Sequence, residues 1–123
     1  MRQNTKLREV LVVDDDPVIR NMMIDIFNLE GYPIRVARNG REALEMLHGE
    51  ENYLVFLDLL MPVMDGKELC QALEAEPQLS GRHVIIMMSA MDQRAEVASL
   101  NVNSTISKPF SVDDVMDVIR PYM

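Results

Sequence analysis

Three apolar runs constrain this chain more than any other feature. EVLVV (Glu9–Val13), YLVFL (Tyr53–Leu57) and HVIIMM (His83–Met88) are rich in β-branched and bulky residues and lack the polar alternation of a half-wet strand. Strands of that kind are buried on both faces, which places them in a parallel sheet covered by helices on each side. PIRVA and NSTIS are two shorter strand candidates.

Helical patterns fill the intervals. In DPVIRNMMIDIFNLEG, the residues Ile19, Met22, Met23, Ile26 and Phe27 form one stripe, with Asp16 as N-cap, Pro17 at the first helical position and Gly31 closing the end. GREALEMLHG puts Ala43, Leu44 and Leu47 on one side. In DGKELCQALEAEP, Asp65 and Glu68 have capping-box spacing, and the helix is expected to stop before Pro77. MDQRAEVASLN is short and polar. SVDDVMDVIRPYM pairs Ser111 with Asp114 as a second capping box and buries Val115, Val118 and Ile119. Five strands alternating with five helices give an α/β fold with a doubly wound parallel sheet.

At 123 residues the chain is one domain, expected over 8–123 behind a short leader over 1–7. The leader starts at Met1, which favours a natural N-terminus. Net charge is −8 and the basic residues are scattered, so direct nucleic-acid binding is not expected. No run approaches the ~20 apolar residues of a membrane span, and MRQNTKLRE has no signal-peptide core. A single cysteine, Cys70, forms no internal disulfide and reads as a structural thiol in a reducing, cytoplasmic setting. The eleven methionines read as flexible core filler.

Polar residues recur where the apolar runs end. The first strand leads into Asp14, Asp15 and Asp16, the third ends in Asp58, the fourth in Ser89, and the fifth leads into Lys108 and Pro109. In open α/β sheets ligands bind beyond these carboxyl ends. Asp16 is taken as a helix cap, which leaves Asp14, Asp15 and Asp58 converging with a hydroxyl and an ammonium. Clustered carboxylates are tolerable around Mg²⁺, a hard cation that favours oxygen ligands. A hydroxyl and an ammonium beside them suit a phosphoryl group, with Asp58 as a carboxylate nucleophile. Any one of these residues alone is more often a turn, cap or surface residue. Their joint occurrence at four strand ends carries the inference.

LVVDDD, VFLDLLMPVMDG, IIMMSA and SKPF, in this order and spacing, resemble the receiver domain of bacterial two-component response regulators, over Val10 to about Tyr122. The resemblance implies a flavodoxin-like sheet of strand order 2-1-3-4-5. It also implies Asp58 as the site of phosphorylation by a sensor histidine kinase or histidine phosphotransfer protein. Asp15 and Asp58 would hold Mg²⁺ directly, Asp14 through water or hydrogen bonds, and the Leu60 carbonyl would supply a further ligand. Ser89 would be the switch hydroxyl, Lys108 would pair with the phosphoryl oxygens, and Pro109 would follow a cis peptide bond. A downstream protein or output domain would read the switch. Both a single-domain regulator and a receiver within a longer regulator or hybrid kinase fit.

Two positions depart from the family pattern. Thr105 stands at the switch position where an aromatic is usual, which leaves a pseudo-receiver, an interaction module without phosphorylation-dependent switching, as the alternative. Asn101 stands where Gly is frequent; Asn tolerates a left-handed backbone, so the turn is expected to survive. A dehalogenase-type phosphohydrolase is disfavoured because it needs an acid two residues after the nucleophile, where Leu60 stands. Leu60 and Met91, each two residues beyond Asp58 and Ser89, are expected to shield the phosphoryl group from water.

Overall fold

A computed structural model describes residues 8–123, so the leader expected over 1–7 lies outside the described residues. Five strands, β1 (Glu9–Val13), β2 (Ile34–Ala37), β3 (Tyr53–Asp58), β4 (Val84–Ser89) and β5 (Ser104–Ser107), form one sheet of order β2-β1-β3-β4-β5. Every neighbouring pair is parallel. β3 and β4 are buried at every position, as their unbroken apolar sequences require.

The described residues form six helices, five between strands and one after β5: α1 (Pro17–Leu29), α2 (Gly40–Leu47), α3 (Gly66–Glu74), α4 (Pro77–Ser80), α5 (Arg94–Ala98) and α6 (Val112–Ile119). Side-chain alternation along the strands divides the core into two layers. Val10, Val12, Phe56, Ile86 and Met88 pack with Met23, Phe27, Val115 and Ile119 of α1 and α6. Leu11, Val13, Leu57 and Met87 pack with Leu47, Leu69, Leu73, Leu79 and Val97 from α2 to α5. Met23, Met87 and Met88 are fully buried, as expected of core filler.

The helix ends form as their sequences direct. Asp16 Oδ1 accepts from Val18 N at 2.9 Å, Pro17 follows, and Gly31 has φ +80° beyond the end of α1. Asp65 with Glu68 and Ser111 with Asp114 both close reciprocal capping boxes. The five expected helices form, and a short sixth, α4, joins them. Pro77 does end the third helical run, but as a first-turn residue it also opens α4, a four-residue helix that buries Leu79 and stops at Gly81. MDQRAEVASLN yields one 3₁₀ turn over Met91–Gln93 and the five-residue α5, since Val97 is its only buried side chain. The turn before β5 survives without a left-handed residue at Asn101, because Val63 is the one non-glycine residue with positive φ among the described residues. Cys70 lies on the buried face of α3, and burial pushes its thiol up to about 11, which makes it a structural thiol.

Candidate functional site

The parallel register carries the polar strand ends to one rim. Val13 lies opposite Leu57 and Asp58 opposite Met88, so Asp14, Asp58 and Ser89 emerge side by side. The Lys108 amide donates to the Ser89 carbonyl at 2.8 Å, which fixes the end of β5 to the end of β4. The Lys108–Pro109 peptide bond is cis.

Asp14 is fully buried and held on both oxygens. Its Oδ1 accepts from the Asp16 amide at 2.9 Å and its Oδ2 from Lys108 Nζ at 3.1 Å. Arg20 donates to the Asp14 carbonyl at 2.8 Å and anchors α1 to this turn, a role the sequence pattern did not reveal. Asp58, 8% exposed, accepts from Lys108 Nζ at 3.0 Å. Asp15 is on the solvent side, and one carboxylate oxygen from each of Asp14, Asp15 and Asp58 lies within 4.8 Å of the others.

Electrostatics follow from this crowding. Burial pushes the Asp58 carboxyl up to about 6; Lys108 opposes the shift and the charges of Asp14 and Asp15 add to it. Burial alone would lower the Lys108 pKa, but its bonds to Asp58 and Asp14 more than offset that and raise it. Three carboxylates sharing one ammonium form a hard, oxygen-only, anionic donor set, which fits Mg²⁺.

Of the remaining expected residues, Ser89 is buried at the same rim, whereas Leu60 and Met91 project outward at 58% and 68% exposure. Thr105 is exposed and borders an open groove of about 460 Å³ between β5 and α6. A nearly apolar hollow of about 300 Å³, lined by Ile19, Met22, Lys108, Pro109 and Phe110, adjoins the lysine.

The response regulator receiver domain family matches residues 10–120. The chain belongs to that family. It is 33% identical over 117 residues to sporulation initiation phosphotransferase F of Bacillus subtilis, covering 94% of this chain and 93% of that protein. The signal receiver domain of a histidine kinase from Syntrophus aciditrophicus superposes with a TM-score of 0.83 at 27% identity, covering 93% and 88% of the two chains. The response regulator TrrA of Thermotoga maritima, solved in complex with Mg²⁺ and BeF, gives 0.80 at 28% identity, covering 95% and 100%. This receiver domain therefore has the flavodoxin-like architecture of its structural neighbours. None of its described helices is long and apolar enough to cross a membrane.

Proposed function

We propose that this receiver domain is the phosphoacceptor switch of a cytoplasmic two-component system or phosphorelay, with Asp58 taking a phosphoryl group from a phosphohistidine. The observation that carries this reading is the shared lysine: Lys108 Nζ bonds both Asp58 and Asp14 at the one rim where the acids converge. The name of the Bacillus relative, a phosphotransferase, supports it, as does Mg²⁺ bound to the Thermotoga neighbour.

In transfer, an Asp58 carboxylate oxygen attacks phosphorus in line. The new P–O bond forms as the P–N bond of phosphohistidine breaks, and the departing imidazole nitrogen keeps the electron pair. The Lys108 ammonium moves its bonds from Asp58 toward the phosphoryl oxygens and offsets their charge. Mg²⁺, held by Asp14, Asp15, Asp58 and the Leu60 carbonyl, would supply further neutralisation of that charge.

Ser89, buried at the end of β4, would supply the hydroxyl that bonds the phosphoryl group. Because its own carbonyl accepts from the Lys108 amide, displacement of Ser89 pulls on the β5 end and the following Pro109. That route needs no aromatic at Thr105, and it favours switching over the pseudo-receiver alternative. A downstream protein or output domain reads the change. The domain is a signalling switch, and turnover is limited to its own phosphorylation and slow hydrolysis.

Intact mass after incubation with acetyl phosphate tests the reading. The expected result is one phosphoryl adduct that needs Mg²⁺ and is absent in Asp58→Asn. No adduct with Mg²⁺ present would overturn it.

A further inference from the structure

Two backbone bonds and one side chain hold the end of β4. The Leu59 amide donates to the Met88 carbonyl at 3.3 Å and the Lys108 amide to the Ser89 carbonyl at 2.8 Å. Both tie β4 to its neighbours in the sheet and depend little on which side chains stand there. The next residue is held differently. The Ala90 amide donates to Gln93 Oε1 at 2.8 Å, and the Ala90 carbonyl accepts from the Gln93 amide at 3.0 Å. Gln93 therefore grips, by side chain and backbone together, the residue that directly follows Ser89.

Helix initiation alone does not call for this glutamine. A Gln that reaches back to an N-cap amide is one half of a capping box, and Ala90 has no side-chain oxygen to supply the other half. The segment it closes is weakly held. The 3₁₀ turn over Met91–Gln93 buries no side chain, and Val97 is the one buried residue of α5. Elements with so few buried contacts shift at low cost, so a single hydrogen bond at their root carries a large share of what keeps them in place. In this structure Lys108, at 3.0 Å, bonds Asp58, while Ser89 stands at the neighbouring strand end with its following amide held by Gln93.

We propose that Gln93 is a latch on the switch, a positioning residue that acts through Ser89. Its side-chain oxygen holds the Ala90 amide, and the Ser89 hydroxyl with it, back from a phosphoryl group on Asp58. The bond to Ala90 breaks when Ser89 moves to that group, so the latch sets how much of the binding energy is spent on opening. The proposal rests on Asp58 being the phosphoacceptor and Ser89 its switch hydroxyl.

The test titrates beryllofluoride, a mimic of a phosphoryl group on a carboxylate, into the full chain at saturating Mg²⁺, read by calorimetry. Gln93→Leu keeps the size of the side chain and loses the acceptor; Gln93→Glu keeps the acceptor. Gln93→Leu is expected to bind beryllofluoride about five-fold more tightly, the scale of one neutral hydrogen bond, with its Mg²⁺ affinity unchanged. Gln93→Glu should bind no more tightly than the unaltered chain. In a Ser89→Ala background there is no hydroxyl to hold back, and adding Gln93→Leu should leave the affinity where it was. Equal or weaker binding by Gln93→Leu, whatever its urea midpoint, would reduce Gln93 to a structural cap and overturn the latch. The same gain in Gln93→Glu or in the Ser89→Ala background would overturn it too, as would a gain matched by tighter Mg²⁺ binding. No binding of beryllofluoride by the unaltered chain would instead bring down the phosphoacceptor reading.

Discussion

Lys108 Nζ stands 3.0 Å from Asp58 and 3.1 Å from Asp14, so one ammonium is divided between two buried carboxylates. Asp15 adds a third carboxylate to the same cluster. Three acids against one ammonium leave two negative charges in excess, which one divalent cation cancels. The lysine thus holds Asp14 and Asp58 together, and it lies on an oxygen of the carboxylate proposed as the phosphoacceptor.

Without metal, the Asp58 charge is a liability to the fold. Its carboxyl is pushed up to about 6 by burial first and by Asp14 and Asp15 after it, so ionised Asp58 destabilises the native state above that pH. Asp58→Asn is expected to raise unfolding free energy by up to about 3 kcal/mol at neutral pH in EDTA, the scale of a two-unit shift. Mg²⁺ should stabilise the unaltered chain and raise its urea midpoint with concentration, as ligand linkage requires, and do so less for the variant. Urea titrations with and without Mg²⁺ measure both; equal midpoints of the two proteins in EDTA would contradict the account.

Gly66 is fixed by close approach rather than by backbone conformation. A Cβ there would stand 2.5 Å from the Asp58 carbonyl oxygen and 3.0 Å from Leu59 Cα, both backbone atoms with no rotamer to yield. Gly66→Ala is therefore expected to cost about 2–3 kcal/mol and to slow phosphorylation by displacing Asp58. Calorimetry and the acetyl phosphate assay together test this. A stable variant phosphorylated at the normal rate would show that the loop gives way.

The strands, the caps and the rim were legible in the sequence because each is written locally. Burial on both faces leaves an unbroken apolar run in β3 and β4, and a cap such as Asp65–Glu68 spans four residues. Asp14, Asp58, Ser89 and Lys108 could be gathered because a parallel sheet brings every strand end to one side. What escaped depends on distant partners. The Val63 turn is held by Gly40, on the helix before β3. His83 passes for the first residue of a strand, yet its ring joins Tyr53 and Leu47, 30 and 36 residues away. Pro77 reads equally as the end of one helix and the start of another, and only the burial of Leu79 shows that α4 forms.

His83 gives the fold a pH dependence separate from the rim. It is 4% exposed, its Nδ1 accepts from the Tyr53 amide at 3.1 Å, and its Nε2 donates to the Leu47 carbonyl at 2.9 Å. That pattern requires the neutral ring, and burial lowers its pKa from 6.5 against the opposing pull of the Leu47 carbonyl. As pH falls below 6.5 the unfolded chain takes up the proton first. Stability is complete above that pH and declines below it, by at most about 1.4 kcal/mol per unit, until the folded ring also protonates. Urea titrations across this range in saturating Mg²⁺ should show the slope in the unaltered chain and lose it in His83→Gln. A slope retained by the variant would assign it to another group.

Under the proposed function, Leu60 and Met91 are expected to set how long the phosphoryl group survives. They are 58% and 68% exposed on the loops leaving Asp58 and Ser89, and neither offers a polar atom to orient an attacking water. Replacing both by polar residues, Leu60→Asn with Met91→Glu, supplies an amide and a carboxylate that can position and activate water beside the acyl phosphate. Hydrolysis is expected to accelerate about ten-fold, which corresponds to about 1.4 kcal/mol of barrier, while the rate of phosphorylation by acetyl phosphate stays the same. The decay of the phosphorylated mass after removal of the donor measures this directly. An unchanged half-life in the double variant would mean that the two side chains stand clear of the water's path, and that the lifetime is set by Lys108 and the acids instead.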